Sequence, residues 1–152
     1  MKETARIKKM FEDLYAGQPW IDVTILDTLK NLDAQKAAKK IASDWNSIWE
    51  ILNHVIDWRV TVLQRVQGRT VPSPENNFFK PVEDVSEEAW QTTLRKLEDS
   101  QHQWTAYLDE FNEDEFEQVY AANNLSSYEH IHGILQHDAY HLGQIVMLAK
   151  RA

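Results

Sequence analysis

Three histidines carry the chemistry this sequence offers. His137 and His141 stand four residues apart. On an α-helix that spacing puts both imidazoles on one face, about 6 Å apart along the axis. From there two ring nitrogens can converge on one ion at bond lengths of about 2.0–2.1 Å. His130, seven residues before His137, lies roughly 10 Å further along the same face. That is too far to share an ion with His141, but it suits a pocket wall. His132 projects to the opposite face, toward solvent, and His102 reads as a surface residue. A third ligand has to come from another segment. His54 is the best candidate, at the edge of an apolar stripe and flanked by Ile51 and Trp58 at helical spacing. Either parallel or antiparallel packing brings it roughly level with the pair.

A His-x-x-x-His pair alone also describes two satisfied core imidazoles. Two on one apolar stripe, with a third near the middle of another helix, favour a metal site. Asp57, Gln101, His130, Asp138 and Gln144 are candidates for groups around the ion, and no catalytic base is assigned. Two other metal chemistries fit poorly. His137-Asp138-Ala139-Tyr140-His141 is like the zinc-protease His-Glu-x-x-His with Asp for Glu. Yet only 11 residues follow His141, and the position ten after His137 is Met147. A di-iron carboxylate bundle needs two Glu-x-x-His motifs. Only Glu129-His130-Ile131-His132 qualifies, and its His faces outward.

Composition narrows the frame. With no cysteine among 152 residues, disulfides, thiolate metal sites, iron–sulfur clusters and cysteine nucleophiles are excluded. Any ion must be held by His, Asp or Glu. The formal net charge of −8 repels phosphate backbones, so nucleic acid is not an expected partner. The N-terminus has no apolar leader segment, and no run is long enough to cross a membrane. A soluble, cytoplasmic protein is expected, with no membrane partner. The length suits a single domain, residues 1–152.

The elements that must position the histidines read as helices. Only four Gly and four Pro interrupt the chain, which argues for a few long helices. The first spans about Thr4–Ala16, stopped by Gly17 and Pro19. A shorter amphipathic piece follows around Val23–Leu32. The second long helix starts at the capping box Ser47-Ile48-Trp49-Glu50 and ends at Gly68. Gly68–Val85 is rich in turn formers and, at roughly 3.3 Å per extended residue, can cross the whole bundle. The third helix, about Ser86–Phe111, carries a seam of Trp90, Leu94, Leu97, Gln101, Trp104, Leu108 and Phe111, with Gln101 its one polar member. The fourth runs from Ser126, an N-cap with Glu129 three residues on, to Lys150. Four long helices without alternating segments predict an all-α four-helix bundle.

The sequence resembles the DinB/YfiT family of metal-binding bundles, which is distinct from the DNA polymerase sharing the DinB name. The resemblance covers nearly the whole chain. It rests on Gly17-Gln18-Pro19-Trp20, on Ser47-Ile48-Trp49-Glu50-Ile51-Leu52-Asn53-His54 with Trp58, and on Gly133-Ile134-Leu135-Gln136-His137-Asp138-Ala139-Tyr140-His141-Leu142-Gly143-Gln144-Ile145. It implies an up-down-down-up bundle with the long crossover between the second and third helices. It implies one divalent metal on His54, His137 and His141, with zinc or nickel favoured and iron or manganese also accommodated. It implies a homodimer and a small-molecule substrate, with a low-molecular-weight thiol such as bacillithiol or mycothiol in a transferase or isomerase reaction. No thiol-binding motif can be carried over by residue. Two functions follow as expectations: a metal-dependent thiol transferase or hydrolase, or a non-catalytic metal-binding structural dimer.

Overall fold

Two serines set the geometry of the two helices that carry the histidines. Ser47 Oγ accepts from the Glu50 N–H, and the Glu50 carboxylate accepts from the Ser47 N–H at 2.7 Å. Ser126 and Glu129 repeat the arrangement. Each box satisfies donors that a helix start leaves open and fixes where the helix begins. The computed structural model describes all residues, 1–152. Its long helices are α1 (Glu3–Ala16), α4 (Ile48–Val66), α5 (Glu87–Glu110) and α6 (Ser127–Ala149). Two short helices, α2 (Ile25–Leu29) and α3 (Ala34–Ala38), lie between α1 and α4.

The fold is an all-α bundle, and its contacts give the chain directions. Lys8 binds Asp109 and Thr4 binds Glu113, so α1 and α5 run antiparallel. Trp49 donates to Thr93, and Tyr107 donates to the Val66 carbonyl, so α4 and α5 run parallel. His54 meets His141, while Val62 and Val66 share a cluster with Ile131 and Ile134, so α4 and α6 are antiparallel. The order is up-down-down-up, and the parallel step is spanned by the crossover that begins at Gly68. That glycine has φ +84°, the left-handed conformation that ends α4 without a Cβ penalty.

Two differences from the sequence expectation are local. The Val23–Leu32 piece is helical over Ile25–Leu29, and a second short helix, Ala34–Ala38, follows beyond it. Thr24 caps the first, and Asp33 caps the second by accepting from the Lys36 N–H. Before α6, residues Val119–Tyr120 pair with Leu125–Ser126 as a minimal antiparallel hairpin, β1 and β2. Two residues per strand give no alternation for a sequence pattern to reveal.

The core is in two parts. One apolar cluster includes Ile48, Ile51, Leu52, Val55, Trp90, Leu97, Leu142 and Ile145. The other includes Ile7, Phe11, Val62, Val66, Trp104, Leu108, Ile131 and Ile134. Between them, at one level on three helices, lie Arg59, Gln101 and Asp138. Arg59 donates to Asp138 Oδ2 at 2.9 Å and to Gln101 Oε1 at 2.6 Å. The histidines sit beside this polar layer.

Candidate metal centre

His54 comes from the middle of α4, His137 and His141 from the middle of α6, and antiparallel packing makes them meet. The Nε2 of His54 lies 2.9 Å from that of His137 and 3.0 Å from that of His141. The three rings form a group that could hold a metal ion. His54 and His141 are buried, and His137 is half-buried.

The outer ring nitrogens decide what the inner ones present. His54 Nδ1 lies 2.6 Å from the carbonyl oxygen of Asn77. A carbonyl only accepts, so Nδ1 carries the proton and Nε2 keeps a lone pair. His141 Nδ1 donates likewise to Gln144 Oε1 at 2.7 Å. Two lone pairs then face each other across 3.0 Å, an arrangement that repels unless a cation lies between them. A proton is disfavoured in that place. Burial first, and the neighbouring rings after it, hold His54 down to about 4, opposed by the Asn77 carbonyl. His141 is lowered as well, burial again the largest cause. A neutral imidazole with its outer N–H anchored is the form that binds metals. The residues present therefore fit a divalent ion.

His137 lacks such an anchor. Its Nδ1 and the Oδ1 of Asp138 are both sealed from solvent without a partner, 3.9 Å apart. At hydrogen-bond distance the two would form the carboxylate–histidine pair that commonly supports a ligating imidazole. Asp138 is held from its other oxygen by Arg59.

Aromatic rings wall the site. Phe79 stacks on His54 with centroids 4.0 Å apart. Trp58 donates to Asn77 Oδ1 at 2.9 Å and packs its ring edge toward His137. On the open side a groove of about 1200 Å³ runs along α4 and α6, lined by all three histidines and by His130. No other imidazole or carboxylate joins the cluster.

A family model of the DinB superfamily matches residues 24–145. The chain belongs to the DinB superfamily. No curated protein and no solved structure gives a match.

In this DinB protein the other expected residues take different places. His130 lines the groove, with Nδ1 on the Ser126 carbonyl and Nε2 accepting from Asn123. Gln144 and Asp138 adjoin the ligand candidates as described. Gln101 serves Arg59 in the core rather than the groove. Asp57 makes no hydrogen bond to the three histidines, and burial raises its carboxyl. His102 is exposed. His132 departs from the outward reading: its ring packs against Tyr128 at 4.3 Å, and its Nε2 is enclosed without a partner. Sequence reasoning missed Asn77, Phe79 and Arg59. Asn77 contributes a backbone carbonyl, which has no residue-type signal. Arg59 offered a weak one, a lone cation in the largely apolar stretch from Val55 to Val62, which also holds Asp57 and Thr61.

Proposed function

We propose that His54, His137 and His141 ligate one divalent metal ion, zinc or nickel by preference. On this reading the protein is a metal-dependent thiol transferase or hydrolase for a small molecule. The observation that carries the proposal is the inward convergence of lone-pair-bearing Nε2 atoms, with two of the outer nitrogens anchored. A divalent ion with three neutral ligands keeps open positions, lowers the pKa of a bound thiol or water and polarises an electrophile. The chain's own residues do the rest. Asn77 and Gln144 fix the tautomers of His54 and His141, Asp138 is placed to steady His137, and Phe79 and Trp58 keep water from one side. A clamp role for the ion is the second reading. It is disfavoured by the groove beside the three rings and by the lack of a fourth ligating side chain among them. The expected homodimer and cytosolic location belong to the same proposal.

Elemental analysis tests the metal claim on protein purified without a nickel column and then offered zinc, nickel or manganese. About one ion per chain is expected, and His54→Ala and His137→Ala each lose most of it. Wild-type protein that takes up no stoichiometric ion overturns the proposal. A screen of low-molecular-weight thiols against a panel of electrophiles, with and without the ion, tests the reaction class.

A further inference from the structure

Helix α4 carries two buried arginines, and they are treated differently. Arg59 is 1% exposed and has its carboxylate, Asp138. Arg65 is 8% exposed and forms no ion pair with any carboxylate. Its Nε and Nη2 donate to the Val71 carbonyl, and Nη2 donates also to Ser73 Oγ. The rings of Trp58 and Tyr120 flank the guanidinium at 5.4 and 5.2 Å. Nη1 has no partner. The side-chain atoms sealed without one are Arg59 Nε, His132 Nε2, His137 Nδ1 and Asp138 Oδ1. Arg65 Nη1 is not among them, so it is not sealed, and Arg65 lines the same cavity walls as His130.

A nearly buried guanidinium without a counter-charge is an unusual thing for a fold to keep. The free Nη1 of a charged guanidinium suits a carboxylate or a phosphate oxygen. The neighbouring groups do not supply that anion. The Glu129 carboxylate accepts from the Ser126 N–H at 2.7 Å and forms no ion pair with Arg65. His130 is held toward its neutral form, by burial first and by the Arg65 charge among the lesser causes. Between this polar end and the three histidines the groove wall is apolar, with Trp58, Val62 and Ile134. Roughly 10 Å of helix rise separates His130 from His137.

We infer that Arg65 is an anion subsite of the groove, and that the ligand is an elongated small molecule with an apolar body and a carboxylate or phosphate at the Arg65 end. The inference rests on the proposed metal chemistry only for which end of the molecule reacts, so it is tested without metal. The probes are octanoate and its neutral counterpart 1-octanol, titrated by calorimetry into metal-stripped protein and into His137→Ala/His141→Ala. Octanoate is expected to bind about tenfold or more tighter than octanol in both, the scale of one charge-assisted pair. Arg65→Gln brings octanoate to the octanol level and leaves octanol unchanged. If Arg65→Gln weakens octanol too, the substitution has damaged the groove. The Arg65 Nη1–H resonances of wild-type protein then decide: displacement by octanoate and not by octanol supports the subsite, and no displacement overturns it. Equal binding of the two probes overturns it, as does a preference that survives Arg65→Gln. A preference seen only in metal-loaded protein overturns it as well, because the carboxylate is then on the ion.

Discussion

Arg59 and Asp138 have side chains 1% exposed and bind each other at 2.9 Å in the layer between the two apolar clusters. A buried charge that loses its partner is far more costly than the pair is stabilising. Asp138→Ala is therefore expected to destabilise the protein by about 3–5 kcal/mol, read as a lower urea midpoint. Arg59→Met/Asp138→Leu, which removes both charges, should lie closer to wild type. If the double variant is as unstable as the single one, shape rather than charge governs this layer. The pair also marks the limit of what residue types disclose. His137 and His141 are legible because four residues of helix always place two side chains together. His54 needed the resemblance, since a stripe-edge position permits a ligand without requiring one. Arg59 and Asp138 are 79 positions apart, and nothing local to either residue declares the other.

Among the elements, the capped starts of α4 and α6 were readable because a capping box spans only four residues. Ser47 is 2% exposed and Glu50 4% exposed, so bulk solvent has little access to the Glu50 N–H once the hydroxyl is gone. Ser47→Ala is expected to cost about 1 kcal/mol, and up to about 2. The loss shows in thermal unfolding, with a smaller effect from Ser47→Asp, which can still accept. A Ser47→Ala protein as stable as wild type would mean that the Glu50 arm alone holds this helix start. The crossover was legible as a connection, but its role was not. Asn77 and Phe78 have φ of +52° and +60°. That left-handed turn suits Asn and strains Phe, and within it the Asn77 carbonyl meets His54. Turn-forming composition marks such a segment as irregular without fixing where its carbonyls point. The second short helix, α3, was hidden for a related reason. Asp33 acts as a cap through one hydrogen bond, to the Lys36 N–H, and the same residue type serves equally well in an exposed helical turn.

At the scale of the whole molecule, pH acts on the buried imidazoles before it acts on the carboxylates. His54 titrates at about 4 instead of 6.5, burial being the main cause. His130 and His141 are lowered in the same direction by burial. For each, the unfolded chain binds the proton more readily than the folded one. The stability contributed by the neutral rings is complete above about pH 6.5 and is lost as pH falls toward the folded values. The carboxylates lowered by local hydrogen bonds, such as Asp13 and Glu113, start from 3.8 and 4.5 and so act at the bottom of this range or below it. Asp57, raised by burial, works in the opposite sense there. Metal-stripped protein is therefore expected to show a urea midpoint that declines from pH 7 to pH 4.5, while the His54 imidazole proton signals report a ring still mostly neutral in the folded state. The net charge helps to interpret the result. The chain is at −8 at pH 7, so taking up protons reduces its self-repulsion and by itself favours the compact state. A declining midpoint then comes from the buried histidines acting against that trend. A midpoint that holds steady or rises between pH 7 and pH 5 would place these rings in contact with solvent, where they could not present fixed lone pairs to an ion.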